Sequence, residues 1–468
     1  MNEDNAVANV IRVLRTTIAA TAPGGRLPSV RRLMATEHVS PMTVQRAMRS
    51  LAAEGLIEVQ PGRGAFVAAP GPSAVGAPDL DWQSVALGPR QVGDEALPEL
   101  LAVPRPESVP LSSGYLEAAL QPVAALGSAL ARAARRPAAW ERGPVEGRAD
   151  LRAWFAGAAG GAFRAGDMVV CPGGQSALST AFRALCGPGD TVLVEAPTYL
   201  GAIAAARNAG LDVVAVPADG DGVRTELLAT AFERTGARLF YCQPLYANPH
   251  GAVLSTARRA EVLALAHRFS AFVLEDDWAR DLVVEGTPPP PLASQDEHGH
   301  VAYLRSLTKS AAPGLRVAAI GARGAAGARL RAARALNDFF VSGPLQEAAV
   351  EFLSSPAWQR HRKDLRQQLR TRRDALLLAL QRHLPQLRPT AVPEGGLHVW
   401  VRLPEGVDDG ALTTAAAARG VIVYPGKPWY AVDPPAAHLR LTFGAAAPEV
   451  LDEGVRRLAT ALADLRSR

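Results

Sequence analysis

"SLTKSAAPGLR", residues 306–316, holds one of only three lysines in a chain of 468 residues whose other 47 basic residues are arginine. The remaining two are Lys363 and Lys427. A surface cation at position 309 would serve equally well as arginine. A nucleophilic amine would not, because guanidinium stays protonated and forms no imine with a carbonyl compound. The stretch directly continues "VAYLR", an apolar run with strand character, so Ser306, Thr308, Lys309 and Arg316 cluster where a strand ends. Ligands of open α/β sheets sit at such ends.

Working outward, the same kind of position recurs. From about Pro110 the chain alternates strand-like and helix-like segments, the pattern of a parallel sheet between helix layers. Candidate strands are "DMVVCP", "DTVLVEA", "DVVAVP", "RLFYCQP", "AFVLED", "VAYLRSL" and "RVAAIG", with alanine-rich helical runs such as "SALSTAFRALC" and "TARRAEVLALAHRF" between them. "CPGGQSALS" places Gly174 and Gln175 between a strand and a helix, where free backbone N–H groups attract an anion. "VEAPTYLGA" offers Tyr199 as a flat stacking surface, "CQPLYANPHG" offers Asn248, and "FVLEDDWARDL" offers Asp276 and Asp277. Beyond Pro344 a long helical stretch, interrupted at Pro356, runs towards Leu384. The strands "LHVWVRL", "GVIVYP" and "HLRLTF" and a closing helix from Pro448 follow, which make a smaller α+β subdomain.

These residue types meet the needs of pyridoxal phosphate: a lysine amine, a carboxylate for the pyridine nitrogen, a stacking ring and a cationic, hydroxyl-rich nest for the phosphate. Over residues 110–468 the set resembles the fold-type I, aspartate-aminotransferase-like enzymes. The resemblance implies that Lys309 carries the cofactor as an imine and that Asp276 pairs with the ring nitrogen. It also implies that Asn248 bonds the ring hydroxyl oxygen, that Tyr199 stacks on the ring, and that Gly174, Gln175, Ser306 and Arg316 surround the phosphate. Arg440 in "HLRLTF" matches the arginine that clamps a substrate α-carboxylate, a role suited to a planar guanidinium. Relatives usually have a tyrosine shortly after the aspartate; this chain has Trp278, which donates only through its indole nitrogen.

The N-terminal residues 24–67 read differently. A short helix fits Ser29–Thr36, with a break at Glu37-His38. Ser40 is a good N-cap and Pro41 suits the first position of a second helix. Val44, Ala47, Met48 and Leu51 recur at i, i+3, i+4 and i+7 as a buried face, which leaves Thr43, Gln45, Arg46 and Arg49 for the other side. Gly55 ends this helix, and "LIEVQPGRGAFV" forms two strands around Pro61-Gly62-Arg63-Gly64. Eight arginines against five acidic residues give residues 1–67 a net charge of +3. Two helices across a tight turn, the second exposing polar and basic side chains, suit major-groove reading.

"LPSVRRL", "VSPMTVQRAMRSLAAEGLI" and "GRGAFV" resemble the winged-helix domain of the GntR regulator family. The resemblance implies contacts to double-stranded DNA from Arg31, Thr43, Gln45 and Arg46, with Gly62 and Arg63 in the wing. Pro41 and Met42 stand where many relatives have a polar or basic residue. The two resemblances together give the layout of the MocR regulators. The expected architecture is a winged helix-turn-helix at 1–68, a linker at 69–108 rich in Pro, Gly and Ala, a large parallel-sheet domain at 109–340 and a small α+β domain at 341–468.

No apolar run of 18 residues and no signal-peptide order appear, so a cytoplasmic protein without membrane contact is expected. Cys171, Cys186 and Cys242 show no ligand spacing, and no metal site is expected. The MocR resemblance implies a homodimeric transcriptional regulator whose aminotransferase-like pocket senses pyridoxal phosphate or a small amino-compound effector. An active aminotransferase with an accessory DNA-binding domain is the alternative, and a lyase or decarboxylase on the same cofactor is a third.

Overall fold

The computed structural model describes residues 3–60, 62–68, 80–87, 96–103 and 105–466. It divides into two compact units, residues 1–91 and 92–468; the division falls inside the stretch expected to be a linker. Pro61 of the expected wing turn and much of that linker (69–79, 88–95 and 104) lie outside the described residues. Within the linker stretch, helices Asp81–Leu87 and Ala96–Leu101 are formed.

The first unit begins with a helix, Glu3–Ala19, that the sequence reading did not identify. Val30–Glu37 follows, capped by Ser29, and ends at His38 in the left-handed conformation. Pro41–Ala53 is capped by the Ser40 side chain, which accepts from the Thr43 N–H, and has proline in its first turn. Gly55, at φ +70°, lets the chain leave this helix where other residues would be strained. Strands Ile57–Gln60 and Gly64–Val67 then pair antiparallel. Val10, Leu14, Leu33, Val44 and Leu51 meet in one core, each worth roughly 1.5–3 kcal/mol on burial.

The second unit is built on an eight-stranded sheet. Its order is Met168–Cys171, Ala318–Gly321, Val301–Ser306, Phe272–Asp276, Leu239–Cys242, Thr191–Ala196, Asp212–Asp219 and Gly222–Val223. All seven expected strands are present, but the sheet is mixed rather than wholly parallel. Ala318–Gly321 runs antiparallel to both neighbours, and Gly222–Val223 folds back on its predecessor as a hairpin. The other six strands run the same way. Leu239–Cys242 and Val301–Ser306, inside the sheet, are buried throughout, which accounts for apolar runs without alternation. The carboxyl ends of Met168–Cys171, Thr191–Ala196, Leu239–Cys242, Phe272–Asp276 and Val301–Ser306 therefore share one edge.

The C-terminal part has helices Pro356–His383 and Pro448–Arg466 packed with a four-stranded sheet, whereas helix Gly343–Leu353 joins the core of the large sheet through Ala348, Ala349 and Phe352. "GVIVYP" is not one strand. Val421–Ile422 pairs with Val109–Pro110, while Tyr424–Pro425 joins His438–Thr442. Among the described residues, no helix is long and apolar enough to cross a membrane.

Candidate functional site

The strand edge gathers the expected residues around one cavity, lined by Gly174, Gln175, Tyr199, Asn248, Asp276, Ser306, Lys309 and Arg316. Lys309 lies three residues past its strand. Its Nζ donates to Gly114 O at 2.9 Å and rests 3.6 Å from the centroid of the Tyr115 ring. Burial, then the Arg440 and Arg316 cations, lower its amine to about 7, against the pull of Asp276. A useful fraction is thus the neutral nucleophile near neutral pH.

Asp276 ends its strand in a buried position. Tyr241 OH donates to its Oδ2 at 2.8 Å and Gln243 Nε2 donates to the same atom at 2.9 Å. Burial raises the carboxyl to about 6, although both bonds favour the ionised form. Gln243 is the hub of this layer: its N–H donates to Glu195 Oε2 and its Oε1 accepts from Asn248 N, each at 2.9 Å. Asn248 Oδ1 accepts from Arg440 Nη1 at 3.2 Å. Arg440 is 1 % exposed, donates also to Ser112 O, stacks over Trp429 at 4.3 Å and leaves its Nε without a partner. Burial lowers its proton affinity.

At the other end of the cavity, helix Gly174–Leu185 points its N-terminus at the edge. Gly173 has φ +106°, which favours glycine, and a Cβ there would push the Arg316 guanidinium aside. Arg316 Nη2 donates to Pro172 O at 2.8 Å, and Ser306 Oγ bonds Thr308 Oγ1 at 3.0 Å. Tyr199 OH donates to Gln175 Oε1 at 3.2 Å, and Gln175 Nε2 donates to Gly201 O at 2.8 Å. Trp278 lines the cavity, stacks on His398 and keeps its Nε1 unpartnered.

Tyr115, Tyr241 and Gln243 escaped the sequence reading. The last two carried a signal, because "RLFYCQP" puts them two apart, on the same side of the strand beside Asp276. Tyr115 follows Gly114, which lies 195 residues before Lys309 in the chain, and carried none.

Residues 107–458 match the family "Aminotransferase class I and II" and residues 7–67 match "Bacterial regulatory proteins, gntR family". The chain belongs to the class I and II aminotransferase family. It joins that body to a GntR-type DNA-binding domain, the MocR layout. An uncharacterised HTH-type transcriptional regulator of Bacillus subtilis, YdfD, is 29 % identical over 95 % of this chain and 93 % of its own length. The 2-aminoadipate transaminase of Thermus thermophilus is 31 % identical over 82 % of this chain and 98 % of its own. The crystal structure of LysN, an α-aminoadipate aminotransferase from Thermus thermophilus complexed with N-(5'-phosphopyridoxyl)-L-leucine, superposes with a TM-score of 0.75. It is 30 % identical and covers 80 % of this chain and 96 % of that one. The family's cofactor is pyridoxal 5'-phosphate.

The residues present fit that cofactor. Gly173, in the left-handed region beside the Arg316 guanidinium, opens the helix N-terminus toward the cavity. The one amine in the cavity is Lys309, and Asp276 keeps both of its bonds on a single oxygen.

In the DNA-binding domain Arg31, Gln45, Arg46 and Arg63 are exposed, with Arg32 and Arg49. Gly62 sits at the hairpin tip with φ +76°. Thr43 is a correction. It is 4 % exposed, and its Oγ1 lies 2.8 Å from Ser40 Oγ. At ~100° per residue, position 43 falls beside Ala47 at the margin of the buried arc and not with Gln45 and Arg46.

Proposed function

We propose that this regulator holds pyridoxal 5'-phosphate in the cavity around Lys309 and responds there to a small amino compound. The observation that carries this reading is the meeting of Lys309, Asp276 and Asn248 around one cavity, with Arg440 bonded to Asn248 behind it, in a chain that also exposes Gln45 and Arg46 on a GntR-type helix. When bound, the cofactor supplies an aldehyde that captures amines and a ring that accepts electrons.

The chain's own residues supply the rest. Gly174, Gln175, Ser306 and Arg316 hold the phosphate, and Tyr199 faces the ring. Asp276, oriented by Tyr241 and Gln243, faces the ring nitrogen and holds its proton. Asn248, oriented by Gln243, faces the ring oxygen. Lys309 provides the amine that links and releases. Arg440 takes the effector's carboxylate in place of the Ser112 carbonyl, and this transfers the ligand's binding energy to the small domain. Regulation requires that the ligand bind two arrangements of the protein with different affinity.

Arg31, Gln45, Arg46 and Arg63 make the DNA contacts, in the cytoplasm where the promoter lies. A second copy of the chain completes the regulator. Trp140, Leu336 and Phe339 leave apolar surface at 69 %, 87 % and 74 % exposure, which suits a self-complementary interface.

The test is an absorbance titration of the purified protein with a panel of amino acids, with and without promoter DNA. A visible cofactor band that shifts with an amino compound, accompanied by altered DNA affinity, supports the reading; a protein purified without the band and unable to take up the cofactor overturns it. Turnover as an aminotransferase is the second reading, favoured by the presence of Lys309, Asp276, Asn248 and Arg440 together. Keto-acid release without any DNA footprint distinguishes it.

A further inference from the structure

Tyr115 lines the cavity from a strap, residues 111–117. The strap is pinned at both ends. Leu111 and Leu116 are buried, Glu117 N donates to Gly444 O at 2.8 Å, and the Glu117 carboxylate pairs with Arg372 at 2.5 Å. Between these anchors the Tyr115 N–H donates to Ser113 Oγ at 3.1 Å, Ser112 O accepts from Arg440, and Gly114 O accepts from Lys309. The phenol ring is therefore held in place, with its face 3.6 Å from Nζ. A cation set over an aromatic face at that distance is attracted to it, and the ring also occupies one side from which another molecule would approach the amine.

We propose that Tyr115 controls access to the Lys309 amine, admitting short amino compounds readily and delaying bulky ones. The proposal rests on the reading that Lys309 is the group that meets the ligand. It makes Tyr115 a specificity-determining residue that acts through its ring; the hydroxyl is dispensable.

Because the chain has only three lysines, the test carries its own references. In full-length protein freed of cofactor, acetylation of Lys309 is timed by mass spectrometry against exposed Lys363 and Lys427. In cofactor-loaded protein, the rate of the spectral response is compared for alanine and phenylalanine. Tyr115→Ala is expected to speed Lys309 acetylation by about tenfold, the scale of one lost cation–π contact. The two reference lysines should be unchanged, and the response to phenylalanine should quicken more than that to alanine. Tyr115→Phe should retain wild-type rates. Tyr115→Leu, which keeps an apolar side chain at this half-buried position, should act in the same direction as alanine and serves if the smaller residue unfolds the strap. Unchanged Lys309 labelling in both truncated variants, or Tyr115→Phe labelling as fast as Tyr115→Ala, overturns the proposal. If the wild-type protein shows no cofactor band at all, the functional reading fails first; a normal band with an indifferent Tyr115→Ala sinks only the gate.

Discussion

The reading helix Pro41–Ala53 and the strand edge around Lys309 both present cations to anions, by opposite means. On the helix, Gln45, Arg46 and Arg49 are neighbours in sequence and stand in solvent. At the strand edge, Lys309, Asp276 and Arg440 come from segments far apart; Asp276 and Arg440 are buried and joined by a chain of bonds through Gln243 and Asn248, while Lys309 is held by the Gly114 carbonyl. Surface cations suit a polyanion that is bound by many weak, salt-sensitive contacts. Buried, mutually oriented groups suit one small molecule whose charge is matched atom by atom. The difference implies that single substitutions should be graded on the helix and close to all-or-none in the cavity.

The sharpest break would come at Lys309. Lys309→Ala should abolish the visible cofactor band and every spectral response to amines while leaving the circular dichroism of the fold unchanged; a persisting band would move the link to another group. Next in size is the pH dependence set by Asp276. Its carboxyl is raised to about 6 in the folded chain, so in the cofactor-free protein its contribution favours folding below the ordinary carboxylate range and is lost as pH rises through about 6. Cofactor binding needs the ionised form, so affinity should fall about tenfold per pH unit below that value. The thermal stabilisation produced by added pyridoxal phosphate should shrink in parallel. Asp276→Asn should flatten the profile and weaken binding throughout, and an unaltered profile in that variant would assign the titration elsewhere.

The same contrast explains which parts could be read from the sequence. The reading helix announced itself because cap, buried stripe and exposed face are written within one local period. The sheet was legible strand by strand, since seven apolar runs needed burial on both faces. The direction of Ala318–Gly321 was not, because "RVAAIG" has the same apolar character whichever way it runs. In the cavity, residues at strand ends were found by position alone. Gln243 was passed over although it sits in a quoted motif, because its role lies in what it touches across the sheet. Tyr115 had no local signature at all; only the fold brings it to Lys309. Trp278 was singled out as a departure; its indole Nε1 is buried and has no partner within the protein.

On the DNA side, Arg46→Ala should weaken operator binding by about 1–3 kcal/mol if it reads a base edge. Arg63→Ala, at the wing, should cost less and act uniformly across DNA sequences while lowering the salt slope by about one. Fluorescence anisotropy at two salt concentrations separates the two cases, and neither variant should change the cofactor band. An Arg46→Ala loss that is independent of DNA sequence would turn that residue into a phosphate contact.

The smallest expected effect is at Thr43, where the structure and the pattern of the relatives disagree. Its hydroxyl faces Ser40 in the N-terminal turn of the reading helix and is out of solvent. Thr43→Val keeps the shape and removes one buried hydrogen bond, so it should cost the DNA-binding domain about 0.5–1.5 kcal/mol of stability. Operator affinity, measured well below the melting transition, should be unchanged. The variant discriminates cleanly because the two roles predict opposite readouts: a support loses stability and keeps affinity, whereas a contact keeps stability and loses affinity. Were Thr43→Val to match the affinity loss of Arg46→Ala, position 43 would have to turn outward on DNA, and the burial seen in the free chain would belong to a helix that rotates when it binds.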